Sequence, residues 1–267
     1  MADLALFIHS TGMGPFMWKP YVGTVPEGVQ ALTPVNRGYA PDDLLPLGQA
    51  FSVHDEVRHL LQQLPPGTTG VHLLGHSYGA FAALALAQTL RQAPTDLVVR
   101  SLWLYEPVLF GAMRPIVDAL PADAADEVRE LFERAQGGLL DETDAGTDGW
   151  LERFIDYWNQ PGTWAAMPDK VKGLSRMVSA KMYREVRSVS TEPEPFAQYA
   201  FDAGVPLTLV HGAHTRAPAR EMVRQLAAVN PHARVQALDG LGHMGLVGAA
   251  QPVQASLQAH WSRVMAS

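Results

Sequence analysis

The chain has 267 residues, 47% of them hydrophobic, and a formal net charge of −7, enough for one large α/β domain with an inserted subdomain and a proper core. It has no cysteine, which excludes disulfides, thiolate metal sites and cysteine nucleophiles. The charge is spread along the chain with no dense basic cluster, so nucleic acid is not an expected partner.

The N-terminal stretch MADLALFIHS has no basic start, and its apolar run is too short for a signal peptide or a membrane span. A cytoplasmic protein that does not enter a membrane is therefore expected. Within that stretch, Leu4–Ser10 is a short apolar run ending in polar and glycine residues, which reads as a buried strand. Val29–Val35 is a second such run and Val71–Gly75 a third. Between them, Val53, Val57, Leu60, Leu61 and Leu64 share one helical face, and Pro65 and Pro66 stop that helix. The alanine-rich run Ala80–Gln92 is a helix apolar nearly all round, as expected of one beneath a sheet.

Val98–Glu106 reads as a fourth strand, Val205–Gly212 as a fifth and Ala233–Gly240 as a sixth. Ala217–Asn230 is an amphipathic helix between the last two, and Val253–Met265 is another at the end. Strands alternating with helices imply a parallel sheet that binds ligands at the carboxyl ends of its strands. The interval 111–200 breaks the alternation, because it carries helical patterns at Asp126–Gln136, Gly149–Gln160 and Lys170–Ser188 and no convincing strand. It reads as a helical cap over the strand ends, set into a core formed by 1–110 and 201–267.

The sequence LLGHSYGA, Leu73–Ala80, puts Ser77 between two glycines where the third strand passes into the alanine-rich helix. A serine that merely caps a helix is the plainer reading of that pattern. The strand–turn–helix context favours a nucleophile at a sharp turn, with Gly75 and Gly79 leaving room for neighbouring backbone. The helix N-terminus then directs free N–H groups towards the reaction site. A serine hydroxyl needs a base. Of the ten histidines, His243 in LDGLGHMG lies in a glycine-bearing loop after the last strand, at the same sheet edge as Ser77. His54, His59 and His260 fall in or beside helices and His72 inside a strand, while His9 and His211 end strands and suit bracing roles. His76, the variable residue of the motif, suits packing rather than catalysis.

The pieces LFIHSTGMG, LLGHSYGA, the helical interval and GLGHMG occur in the order seen in α/β-hydrolases, which the chain resembles over nearly its whole length. That resemblance implies a mostly parallel central sheet flanked by helices, with an inserted helical cap. It also implies a catalytic acid, which in most members follows the penultimate strand. In LVHGAHTRAP that position is His214, and no carboxylate occurs from Gly204 until Glu221. A minority of the family places the acid after the strand that follows the nucleophile helix, and here Glu106 stands there, with Asp239 as the rival and Asp202 as a weaker one. The resemblance further implies an oxyanion hole from the N–H groups of Tyr78 and Thr11, the latter in His9-Ser10-Thr11 with Ser10 at the usual glycine position.

With these parts the expected chemistry is attack of Ser77 on a carbonyl, formation of an acyl-enzyme and hydrolysis through His243, with no metal or organic cofactor. The aromatic and methionine content of 111–200 (Trp150, Phe154, Tyr157, Trp158, Trp164, Met167, Met177, Met182, Tyr183) suits small, largely apolar carboxylic esters. The helical spacing of Phe154, Tyr157 and Trp158 points to core rather than pocket wall, and Arg37 in NRGYAPDD reads as structural. A carbon–carbon hydrolase, amidase, lactonase or acyltransferase would use the same machinery. A ligand-binding or receptor-like member that turns over slowly or not at all is the alternative of another class.

Overall fold

The structure is a computed structural model that describes residues 3–266. Six strands, β1 (Asp3–Ile8), β2 (Val29–Leu32), β3 (Gly70–His76), β4 (Val98–Tyr105), β5 (Leu207–Gly212) and β6 (Arg234–Leu238), form one sheet in the order β2-β1-β3-β4-β5-β6. All five pairings are parallel, which is why β1 and β3 are near-continuous apolar runs buried on both faces. The second strand ends at Leu32, short of the expected Val35, where Pro34 has no N–H to extend the ladder. The strand order reverses between β1 and β3, so the loops leaving those two strands diverge and open a crevice at their carboxyl ends.

On one face of the sheet lie α1 (Val53–Gln62) and α2 (Tyr78–Gln92), packed on Leu6, Ile8, Leu73 and Leu104. Helix α1 begins with a capping box in which the Ser52 N–H donates to Asp55 Oδ2 at 2.9 Å. Between β4 and β5 the chain is helical, with no strand among the described residues: α3 (Phe110–Met113), α4 (Ala122–Glu133), α5 (Asp148–Trp158), α6 (Thr163–Ala166), α7 (Asp169–Met177) and α8 (Ser179–Thr191). The pattern Lys170–Ser188 is thus two helices, because Val178 turns into the core and the chain bends there at φ −104° and ψ 8°. Helix α9 (Ala217–Val229) adds to the first face, while α10 (Gly245–Gly248) and α11 (Ala250–Val264) cover the other with Met17, Trp18 and Tyr21. No helix among the described residues is long and apolar enough to cross a membrane.

Beneath α11 the sheet carries a buried polar chain. Ser101 Oγ lies 2.8 Å from His72 Nδ1 and 3.0 Å from His260 Nε2, and Thr208 Oγ1 lies 2.9 Å from His260 Nδ1. Just past the end of β1, His9 Nε2 accepts the Asn36 N–H at 3.0 Å. Burial pushes His9 and His260 down to about 3 and His72 to about 4, so all three are neutral in the fold. Unfolding exposes imidazoles that take up protons below about 6.5. Stability is therefore full above that pH and is lost as pH falls towards the folded values. At pH 5.5 His9 and His260 each forfeit on the order of 1 kcal/mol, with His72 adding in the same direction. Thermal melts are expected to drop by roughly 6–12 °C between pH 7 and 5.5; an unchanged melting temperature would contradict this account.

Candidate active site

The site begins where β3 and β4 end. The register pairs His76 with Tyr105, and the ladder continues one residue further. The Ser77 N–H donates to Tyr105 O at 3.0 Å, and the Glu106 N–H donates to Val210 O at 2.8 Å. Both residues pay for that pairing in backbone angle: Ser77 has φ 56° and ψ −121°, and Glu106 has φ 44°. Among the described residues they are the two non-glycine positions with positive φ, a strain of about 1–3 kcal/mol each that the surrounding structure must hold. The turn at Ser77 is also close-packed. A Cβ on Gly75 would lie 2.5 Å from Ala80 Cα, and one on Gly79 would lie 2.3 Å from Ile8 O.

His243 arrives in the loop after β6 and bridges these two ends. Its Nδ1 lies 2.6 Å from Glu106 Oε2 and its Nε2 lies 2.9 Å from Ser77 Oγ. A carboxylate only accepts, so Nδ1 carries the proton, and Nε2 is left to accept from the serine hydroxyl. The structure thus brings Ser77, His243 and Glu106 into one chain of hydrogen bonds, each of the three less than 7% exposed. Asp239 and Asp202 are exposed, and the hydrogen bonds of the His243 ring go to Ser77 and Glu106.

The segment after β5, where His214 takes the usual acid position, contributes donors to Glu106 instead. Gly212 N–H donates to Oε1 at 2.7 Å and the Thr215 hydroxyl to Oε2 at 2.6 Å. The buried carboxylate therefore has three donors. His214 itself is exposed, and its N–H donates to Leu241 O at 2.8 Å. His76 donates from Nε2 to the His243 carbonyl at 2.8 Å, and burial, together with the neighbouring His243, holds its pKa well below the ordinary histidine value. It braces the histidine loop as a neutral ring.

Thr11 and Tyr78, the two expected oxyanion donors, line one cleft with Ser77. Tyr78 opens α2, so its N–H belongs to the first turn, whose donors have no intrahelical partner. Thr11 sits in a tight turn closed by Met13 N–H to Ser10 O at 3.1 Å. Ser10 fits the turn with its hydroxyl directed at Met17 Sδ, 3.8 Å away.

A residue that sequence periodicity marked only as core also borders the site. Trp158, the last residue of α5, lies over the His243 ring with centroids 3.8 Å apart and planes 25° apart. Phe154 and Trp158 are buried in the main core, as expected, and each also walls the space beside Ser77. Tyr157, next to Trp158, turns away to a cavity of about 340 Å³ that no member of the serine–histidine–glutamate chain lines. Local sequence gives no signal for the indole's position, which depends on how α5 docks.

Beside Ser77 and His243 is a cavity of about 160 Å³ walled by Met13, Ile155, Met167, Val171 and Met182, with no Asp, Glu, Lys or Arg in its lining. A narrower cleft of about 20 Å³ lies on the other side, against Val108, Phe110 and Val189. Among the described residues no group of three or more His, Cys, Asp or Glu is placed to hold a metal ion. Arg37, read as structural, pairs with Asp55 at 3.5 Å.

A search of curated proteins finds no match. Among solved structures the chain is similar to MGS-M2, an alpha/beta hydrolase enzyme from a Medee basin deep-sea metagenome library, with a TM-score of 0.69, 16% identity, and coverage of 98% of this chain and 90% of that one. It is also similar to the enol-lactonase from Burkholderia xenovorans LB400, with a TM-score of 0.67, 16% identity and coverage of 98% and 92%. A thermophilic esterase from Thermogutta terrifontis matches with a TM-score of 0.63, 16% identity and coverage of 99% and 90%. At these identities the likeness is one of fold. The model of the Alpha/beta hydrolase family matches residues 5–256. The chain belongs to the alpha/beta hydrolase family, and by that membership it is a hydrolase.

Proposed function

We propose that this hydrolase cleaves small, largely apolar carboxylic esters through an acyl-enzyme formed on Ser77. The observation that carries the reading is the continuous chain Ser77–His243–Glu106, at 2.9 and 2.6 Å, ending in a cavity without charged side chains. In the proposed reaction His243 Nε2 takes the hydroxyl proton as Ser77 Oγ attacks the carbonyl carbon. Glu106 holds the ring in the required tautomer and stabilises the imidazolium. The N–H groups of Thr11 and Tyr78 receive the oxyanion, each contributing on the order of 10²–10³ in rate. Collapse returns the proton to the leaving alcohol, and water then attacks the acyl-enzyme through the same histidine.

The helical interval 111–200 acts in this reading as the cap. It supplies most of the cavity wall, and its indole from Trp158 covers the face of the imidazole. A cation over an aromatic face gains about 0.5–2 kcal/mol, so the indole stabilises the ring most when it is protonated, in the transition state. The two unequal spaces beside Ser77 suit one short and one longer apolar substituent. An esterase and an enol-lactonase among the similar folds agree with acyl chemistry of this type.

A fluorophosphonate probe is expected to label the folded protein rapidly at Ser77, with labelling abolished in Ser77→Ala; mass spectrometry of the labelled peptide checks both, and a folded protein that resists the probe would contradict the reading. The acid assignment has its own test in kcat/KM. Glu106→Gln should lose up to about 10⁴-fold, while Asp239→Asn, at an exposed position, should stay within about twofold. The reverse pattern would move the acid to Asp239. In a panel of p-nitrophenyl esters, lactones and amides, neutral short-chain esters should lead. Esters with a free carboxylate on the acyl chain should be at least about tenfold slower, because no cation in the cavity replaces the lost hydration.

A further inference from the structure

Glu56, Lys181 and Glu185 are three charged side chains at 0% exposure, and the proposed reaction uses none of them. They lie where α1, α8 and the loop after β1 converge. Burying an ion costs several kcal/mol unless it is well paired, so a cluster of three is an unusual thing for a fold to keep. Lys181 Nζ donates to Glu56 Oε2 at 2.6 Å and Glu185 Oε1 at 2.9 Å, and lies 3.8 Å from the centroid of the Phe51 ring.

The rest of the cluster leads to the two sides of the oxyanion site. Glu56 Oε2 accepts the Tyr78 hydroxyl at 3.2 Å, and Glu56 Oε1 accepts the Arg37 N–H at 2.8 Å. Glu185 Oε2 accepts the Tyr39 hydroxyl at 2.8 Å, and the Tyr39 oxygen accepts the Gly12 N–H at 2.7 Å. Helix α8 also presses directly on this loop: a Cβ at Gly12, where φ is +72°, would lie 2.9 Å from Met182 Cε. Thr11–Gly12 and Tyr78, which flank Ser77, are thus tied to one ion cluster whose lysine comes from the helical interval.

We propose that Lys181, Glu185 and Tyr39 are positioning residues for the hydrolysis. The cluster fixes the Thr11–Gly12 peptide, and with it the adjoining Thr11 N–H, in register with the Tyr78 N–H. This inference rests on the Ser77 reading above. An oxyanion hole works only when its donors are set in advance, and a misplacement of about 1 Å can cost on the order of 10²-fold. The cluster also makes docking of α8 a condition for a formed hole.

The test compares wild type with Tyr39→Phe, which keeps the ring and removes the bridge to Gly12, and with Glu185→Gln, which keeps the shape and removes the charge. Whichever variant gives a wild-type circular dichroism spectrum carries the test. Steady-state kinetics on the best p-nitrophenyl ester and the inhibition constant of phenylboronic acid, which forms a tetrahedral adduct on serine, are measured for each. Expected is a loss of about 10–100-fold in kcat, KM within about threefold, and boronate binding weakened in step with kcat. Wild-type kcat and boronate binding in the folded variants would overturn the proposal and leave the Ser77 reading intact. Undiminished ester turnover in Ser77→Ala, run alongside, would remove the Ser77 reading and this proposal with it.

Discussion

Two backbone hydrogen bonds, Ser77 N–H to Tyr105 O and Glu106 N–H to Val210 O, hold the centre of this molecule in place. Each extends a parallel ladder one residue beyond its strand, onto a residue whose φ lies in the region L side chains avoid. Without the ladder the two residues would relax to ordinary angles and their side chains would swing away from the crevice. With it, the hydroxyl and the carboxylate leave neighbouring strands on the side from which one imidazole can reach both. The close approach of the Gly75 and Gly79 backbones to their neighbours follows from the same turn, as does the start of α2 at Tyr78.

Moving the carboxylate to the end of β4 changes what the segment after β5 is for. In this chain Gly212 and Thr215 donate hydrogen bonds to Glu106, so that segment supplies solvation rather than charge. Loss of one such donor would leave a buried carboxylate oxygen short of a partner, which is costly. His76 plays a comparable part on the other side by holding the His243 carbonyl. The site is therefore supported on both flanks by neutral groups, while its ionic cluster sits behind the loop after β1.

Much of this was legible in the sequence. Apolar runs bounded by Gly and Pro marked the six strands, and the glycine–serine motif marked the turn at Ser77. Glu106 stood out because it ends the strand after the nucleophile helix, where a minority of the family the chain resembles places the acid, and His243 because it lies in a glycine-bearing loop at the same edge. What could not be read depends on docking between distant elements. Trp158 read as core from its helical spacing with Phe154 and is buried there; only the placement of α5 against the loop after β6 also puts its ring on His243. Glu56 and Lys181 are 125 residues apart, and nothing local to either says that they meet. The break at Val178 was hidden for a related reason: α7 and α8 share a continuous helical pattern, and the bend comes from burying one valine.

The order of the parts along the chain has a consequence for synthesis. Ser77 and Glu106 leave the ribosome within 30 residues of each other, whereas His243 follows only after the whole helical interval, β5 and β6. A nascent chain thus carries the hydroxyl and the carboxylate with no imidazole between them. The hydrogen-bonded chain through all three closes only once the sheet has received its final edge strand.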